Sequence, residues 1–257
     1  MTASCAGPAP PTEGRSRADF GHVVRRRVFF GHQSVGMNLL DGVRRLAEQE
    51  RAGFRVVETT DPLALVPGTL AHSFMAENGD PELKLVSFER ALDSGIGDVA
   101  DVALLKFCFV DFSPSTDVRS LFAKYEAMLA RQRARHPHLA FVHVTVPLTT
   151  VQGGLRGLVK RALGRVPAGL AENAKREEYS NLVRRAYQGK EPIFDLARLE
   201  STAPDGSVAS ESDGVRRVPS LADVYTEDGG HLNREAQLRL AHELLSVLAS
   251  TVPPDGT

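Results

Sequence analysis

Residues 27–38 of the chain read RVFFGHQSVGMN, a stretch that contains an apolar run, a polar turn and the start of a helical pattern. The run at 27–30 is nearly continuous in apolar residues, as expected for a strand buried on both faces. The pattern at 35–49 repeats apolar residues with helical spacing, namely Met37, Leu40, Val43 and Leu46. A buried strand that leads directly into an amphipathic helix predicts the first unit of a parallel α/β sheet.

The same alternation continues along the chain. Further apolar runs predict strands at 54–58, 102–108, 140–146 and 193–196, and amphipathic patterns predict helices at 83–92, 118–135, 172–188 and 234–248. This alternation predicts an α/β fold, a three-layer α/β/α sandwich with a central parallel five-stranded sheet. Ligands of such sheets bind beyond the carboxyl ends of the strands, so functional side chains are expected directly after them.

The 257 residues are enough to bury a large core without disulfides. Residues 23–250 are expected to form a single domain. The Pro-, Gly- and Ala-rich residues 1–22 are expected to be a disordered lead-in, and residues 251–257 a tail. The polar, Gly- and Ser-rich segment 201–220 is expected to be a long loop, which is more often functional than idle.

The charge balance argues against two classes of partner. Lys and Arg number 31 against 32 Asp and Glu, whereas nucleic-acid and anionic-membrane surfaces need a basic excess. No apolar run approaches the ~18 residues of a membrane-spanning helix. Cys5 and Cys108 cannot form a disulfide framework, and no Cys/His cluster has metal-ligand spacing. The sequence therefore predicts a small-molecule ligand without a metal or cofactor, and it leaves the oligomeric state open.

The N-terminal residues bear on localisation. Residues 1–19 lack the apolar core of a signal peptide, which favours a cytoplasmic protein. The run Ala3-Ser4-Cys5 resembles the end of a lipoprotein cleavage site, so an extracytoplasmic lipoprotein is the alternative, and it requires an apolar segment upstream. A flexible tail with a chance cysteine explains the same residues.

Ser34 stands where the first strand ends and the first helix begins. Gly31 and Gly36 have the spacing of a phosphate-binding loop, but Met37 and Asn38 replace its lysine and hydroxyl residue, which excludes that loop. A serine at such a junction can act as a nucleophile, because the free N–H groups of the first helical turn would stabilise an oxyanion. The alternative is that Ser34 only caps the helix. The neighbouring His32 is a candidate second base, or it bonds to the backbone of the turn.

A base for this serine is found near the C-terminus. Asp228 and His231 are separated by Gly229 and Gly230, and glycines allow the tight turn that would join carboxylate to imidazole. The carboxylate could then orient the imidazole, which would take the serine proton. An ordinary turn followed by a helix cap at Asn233 explains the same residues.

These blocks resemble those of the GDSL/SGNH hydrolase superfamily, which are serine esterases and acylhydrolases on a flavodoxin-like three-layer fold. Residues 31–34 (GHQS) resemble the first block with one extra residue, which implies Ser34 as nucleophile. Residues 78–80 (NGD) resemble the second block, which implies Gly79 as an oxyanion donor. Residues 228–231 (DGGH) resemble the last block, which implies His231 as the base and Asp228 as the residue that orients it.

The third block, at residues 101–111, departs from the family pattern. Cys108 stands where the family has glycine, and Val110 stands where it has the oxyanion-binding asparagine. Because a valine side chain donates no hydrogen bond, Asn78, Lys106 or another donor is expected to substitute, or the oxyanion site has one donor fewer.

The resemblance implies a serine hydrolase that forms an acyl-Ser34 intermediate and acts on carbohydrate or small acyl esters. The missing asparagine makes a non-catalytic ligand-binding protein on the same fold the alternative. An acyltransferase would use the same serine and histidine with a sugar, instead of water, as the acceptor.

Overall fold

Within residues 19–151 and 167–252, which the computed structural model describes, six parallel strands form the central sheet. They are β1 (Arg27–His32), β2 (Arg55–Glu58), β3 (Thr69–Phe74), β4 (Val102–Leu105), β5 (Ala140–Val144) and β6 (Ile193–Phe194). Their order is β2-β3-β1-β4-β5-β6, and every neighbouring pair is parallel. Without the edge strand β2, this is the strand order of flavodoxin-like sheets, which confirms the predicted α/β fold class.

The predicted number of five strands is wrong, because β3 was not among them. Its sequence, TLAHSF, places His72 and Ser73 inside a short apolar run, so no continuous hydrophobic signal marks it. β3 nevertheless lies inside the sheet, between β2 and β1, where His72 is buried and hydrogen-bonded to His32. The strand predicted at 54–58 is present as β2, and it lies at the edge of the sheet.

Helices cover both faces of the sheet. They are α1 (Val35–Gln49), α2 (Pro81–Ala91), α3 (Val118–Arg135), α4 (Leu170–Tyr187), α5 (Leu196–Ser201) and α6 (Arg234–Ser250). One hydrophobic cluster joins α1 and α6 to one face of the sheet through side chains such as Phe30 and Leu104. A second cluster joins α2, α3 and α4 to the opposite face through Phe29 and Leu105. This alternation along β1 and β4 produces the three layers.

The segment 201–220, predicted as a loop, contains a hairpin. Its strands β7 (Ser210–Ser212) and β8 (Arg217–Pro219) pair antiparallel. Both strands are short and polar, so their sequence carries no strand periodicity. Val218 is buried and anchors β8 to the domain.

The described part of the domain begins within the predicted lead-in. Residues 19–23 are helical, and Phe20 and Val23 are buried in the cluster that contains α1. The Ala3-Ser4-Cys5 run and residues 253–257 lie outside the described residues. Among the described residues, no helix combines the length and apolar composition needed to cross a bilayer.

The order of the strands places the candidate site. β1 lies between β3 and β4, so the carboxyl ends of these three strands meet at the point where the direction of strand addition reverses. Ser34 follows β1, the segment with Asn78 and Gly79 follows β3, and Cys108 follows β4. The three segments therefore share one edge of the sheet.

Candidate active site

Ser34 occupies the N-cap position of α1, but its side chain forms no capping hydrogen bond. The interpretation of Ser34 as a helix cap alone is therefore wrong. Its Oγ lies 3.4 Å from the Sγ of Cys108, close enough for a hydrogen bond with either atom as donor. Because Ser34 is only partly buried, its hydroxyl remains available to a ligand at the edge of the sheet.

The preceding residue ties the serine turn to the segment after β3. The amide nitrogen of Gln33 donates to the carbonyl oxygens of Met75 and Ala76, the second at 3.2 Å. These two residues precede Asn78 closely in the chain. The turn that carries Ser34 is thus held against the segment that was predicted to supply an oxyanion donor.

The predicted pair near the C-terminus is formed. The Nδ1 of His231 lies 2.7 Å from Oδ2 of Asp228. The other carboxylate oxygen, Oδ1, accepts the backbone N–H groups of Gly230 and His231 at 2.9 and 2.8 Å. Gly229 has a φ of 86°, as the predicted tight turn requires. An ionised carboxylate only accepts hydrogen bonds, so Nδ1 carries the proton and Nε2 is left as the basic atom.

The environment keeps Asp228 ionised. Hydrogen bonds from the backbone N–H groups of His231 and Gly230, and then from the His231 ring, lower the pKa of this carboxyl far below its usual value. The carboxylate therefore stays charged throughout the range in which an imidazole titrates. Both side chains are about half exposed, so water also reaches them.

Two contacts bring this loop to the serine. The ring of His231 packs edge-on against Phe109, with ring centroids 5.7 Å apart, and Phe109 follows Cys108 directly. The backbone N–H of Leu232 donates to Oδ1 of Asn38 in the first turns of α1, at 3.2 Å. Among the described residues, the Ser34 hydroxyl forms its hydrogen bond with Cys108 and not with His231. The two groups share one edge of the sheet, but the serine side chain is turned toward the thiol.

Gly79 does not offer a free N–H group. Its backbone nitrogen donates to Oδ1 of Asp111 at 2.8 Å, so the prediction that it is a free oxyanion donor is wrong. The reason is tertiary: the carboxylate comes from the segment after β4. Asn78 is exposed, and its Oδ1 accepts from the Nζ of Lys84 at 2.8 Å. Because an ammonium can only donate, the oxygen of this amide must face Lys84, and the Nδ2 donor is turned away from it.

Lys106 is fully buried, and its Nζ has no hydrogen-bond partner among the described residues. Burial lowers the pKa of this ammonium to about 8. A side chain without solvent access cannot touch a substrate, so the prediction that Lys106 binds the oxyanion is wrong for this structure. The side chain lies on the α1 face of the sheet, next to His32 across the β1–β4 pair.

Two comparisons with known proteins give no match: no family model matches the sequence, and no curated protein does. Comparison with solved structures gives matches over most of the chain. A structure from Parabacteroides merdae, assigned as a GDSL-like lipase, matches with a TM-score of 0.51 and 11% identity, covering 86% of this chain and 94% of that one. The chain therefore shares the fold of this GDSL-like lipase structure.

A second match is a structure from Streptococcus pneumonia assigned as a platelet activating factor. It has a TM-score of 0.52 and 16% identity, covering 92% of this chain and 91% of that one. Identity this low shows a shared fold alone. In that fold, the strand ends at which Ser34, Asn78 and Cys108 lie form the central crevice of the sheet.

Two buried imidazoles, those of His32 and His72, lie next to the serine turn. Arg44, which can only donate, bonds to Nε2 of His72 at 3.2 Å. The other nitrogen of His72 must then donate to Nε2 of His32, 3.0 Å away. Burial lowers the pKa of His32 to about 3 and that of His72 to about 4, so both rings are neutral. The basic nitrogen of His32 is occupied, which argues against the hypothesis of a second base.

Sequence reasoning missed two residues of this site, Lys84 and Asp111. They form a fully buried ion pair, with Nζ 2.7 Å from the carboxylate. The position of Asp111 at the end of the third block was the one feature of the sequence that could have identified it. Nothing in the sequence identified Lys84, because a lysine within an amphipathic helix is normally exposed to solvent.

Across residues 19–151 and 167–252, no group of three or more His, Cys, Asp or Glu is arranged to hold a metal ion.

Proposed function

We propose that the protein is a serine ester hydrolase that acts on small acyl or carbohydrate esters through an acyl-Ser34 intermediate. One observation carries the proposal: Nδ1 of His231 lies 2.7 Å from Oδ2 of Asp228, and Nε2 has no hydrogen-bond partner among the described residues. A neutral imidazole oriented in this way is suited to take a proton from a hydroxyl near pH 7.

In this mechanism, Oγ of Ser34 leaves Cys108 and attacks the ester carbonyl carbon while Nε2 of His231 takes the hydroxyl proton. The same imidazole then gives that proton to the leaving alcohol. Water, deprotonated by Nε2, hydrolyses the acyl-Ser34 ester and restores the serine. Asp228 stabilises the imidazolium that forms in each half of the reaction. General base catalysis of this kind contributes about 10²- to 10⁴-fold to the rate.

Two donors support an oxyanion in this scheme. The backbone N–H of Ser34 stands at the start of α1, and it has no acceptor within the described residues. The Nδ2 group of Asn78 is the second donor, since the oxygen of this amide is held by Lys84. Donors that are already in place stabilise the transition state without reorganisation.

The experiment is covalent labelling with a fluorophosphonate probe, combined with hydrolysis of p-nitrophenyl acetate. Labelling and hydrolysis are expected for the wild type and are expected to be lost in Ser34→Ala. The matched control is Ser250→Ala, because Ser250 is exposed at the far end of α6, a helix roughly 25 Å long. Labelling of Ser34→Ala at the wild-type rate would overturn the assignment of the nucleophile.

A non-catalytic ligand-binding protein is the second candidate. Two observations favour it: the Ser34 hydroxyl is turned toward Cys108, and the Gly79 N–H is already bonded to Asp111. A wild-type protein that unfolds cooperatively but neither reacts with the probe nor hydrolyses the ester would support this function instead.

A further inference from the structure

The buried ion pair between Lys84 and Asp111 lies behind the candidate oxyanion site. Lys84 comes from α2 and Asp111 from the segment after β4, and neither side chain has any solvent exposure. Burying two charges is costly, and replacing such a pair by apolar residues is often neutral or stabilising. A contribution to stability is therefore a weak explanation for the presence of this ion pair. Its hydrogen bonds indicate a second role.

The carboxylate of Asp111 joins two segments that flank Ser34. Its Oδ1 accepts the N–H of Gly79 at 2.8 Å, and its Oδ2 accepts the N–H of Cys108 at 2.6 Å. Cys108 in turn contacts the Ser34 hydroxyl through Sγ. One carboxylate therefore fixes the spacing between the segment after β3 and the segment after β4, on either side of the serine.

The ammonium of Lys84 completes the arrangement. It donates to both oxygens of Asp111 at 2.7 Å and to Oδ1 of Asn78 at 2.8 Å. All three of its donors thus have acceptors. The contact with Asn78 determines the orientation of that amide, because the opposite orientation would place an NH₂ group against the ammonium.

We propose that Lys84 and Asp111 are positioning residues for the reaction, and that they act by holding the Asn78 amide with Nδ2 directed at the oxyanion. This inference rests on the proposed function. It gives Asn78 the role of the asparagine that the third block lacks. Lys84 acts through Asn78 and touches no substrate.

The first test changes Asn78, which is exposed and so leaves the buried pair in place. Asn78→Ala is expected to lower kcat for p-nitrophenyl acetate by about 10- to 100-fold with KM within about twofold, since one oxyanion donor is lost. Asn78→Asp should lower kcat further, because a carboxylate oxygen would replace the donor and repel the oxyanion. The matched control is Asn181→Ala, an amide whose oxygen also bonds a partly buried cation, Arg184, on α4.

The second test is a double-mutant cycle between Lys84→Met and Asn78→Ala. The quantity measured is kcat for p-nitrophenyl acetate, compared under conditions in which all variants are folded to the same extent. If Lys84 acts through the amide, the double variant should have the kcat of Asn78→Ala alone. Losses that multiply would show a merely structural role and overturn the inference. Should Lys84→Met fail to fold, the neutral pair Lys84→Met with Asp111→Asn replaces it, with the same expectation.

The outcomes separate this inference from the proposed function. A wild type without Ser34-dependent hydrolysis overturns both. Hydrolysis that depends on Ser34 but is unchanged in Asn78→Ala and Asn78→Asp overturns the positioning role and leaves the esterase proposal intact. A drop in kcat for both, with the control unaffected, supports it.

Discussion

Replacing Asp228 by asparagine should impair catalysis more than removing its side chain altogether. In the folded protein, Oδ1 of Asp228 accepts two backbone N–H groups, and Oδ2 accepts Nδ1–H of His231. In Asp228→Asn the amide oxygen is expected to keep the two backbone bonds, which places the NH₂ group against the imidazole. His231 must then accept at Nδ1 and carry its proton on Nε2, so it can no longer take the serine proton.

The magnitude follows from what each variant removes. A hydrogen bond to a charged group contributes about 1.5–3 kcal/mol, which corresponds to roughly 10- to 150-fold in rate. Asp228→Ala loses this bond, but its imidazole still samples both tautomers because it is half exposed to water. Asp228→Asn also imposes the wrong tautomer, and the loss should approach about 10³-fold, below the ~10⁴-fold known for a buried triad aspartate.

The assay is kcat for p-nitrophenyl acetate at pH 7, with folding checked by thermal denaturation. Asp213→Asn is the matched control, because Asp213 is also a turn aspartate that accepts two backbone N–H groups, but it lies in the β7–β8 hairpin. An Asp228→Asn variant that is folded and at least as active as Asp228→Ala would refute the orientation argument. A control that loses activity equally would refute its specificity.

Three further predictions concern pH and backbone geometry. The acid limb of the kcat/KM profile should not include protonation of Asp228, because hydrogen bonds from backbone N–H groups hold the pKa of this carboxyl far below its usual value; a slope of two in the logarithmic plot would contradict this. Burial raises the pKa of Glu200 to about 8, so the folded protein keeps a proton that the unfolded chain releases near pH 4.5. The free energy of unfolding should therefore fall as the pH rises from 5 to 8, by at most about 1.4 kcal/mol per pH unit. Urea denaturation should show a smaller fall for Glu200→Gln than for the wild type. Equal falls in the two proteins would refute the assignment to Glu200. Gly229→Ala should lower kcat and reduce the Tm by several degrees, since φ is 86° and the new Cβ would lie 2.7 Å from Oγ1 of Thr150; an unchanged Tm would show that the turn relaxes freely.

The sequence determined the features that depend on short-range patterns. Apolar periodicity located α1 and α3, and continuous apolar runs located β1, β4 and β5. The bond between Asp228 and His231 was also predictable, because it joins residues three apart across two glycines. Each of these features depends on neighbours within one turn or one strand.

Only the tertiary structure decided which polar groups meet. Gly79 and Asp111 lie 32 residues apart, and their hydrogen bond removes a predicted oxyanion donor. Lys106 lies in an apolar run of the sequence, but only the fold shows that its ammonium is fully buried without a hydrogen-bond partner among the described residues. The interior position of β3 was likewise visible only in the fold, where His72 is buried and bonded to His32. A donor or acceptor takes whichever partner the fold brings within about 3 Å, and periodicity along the chain carries no record of that distance.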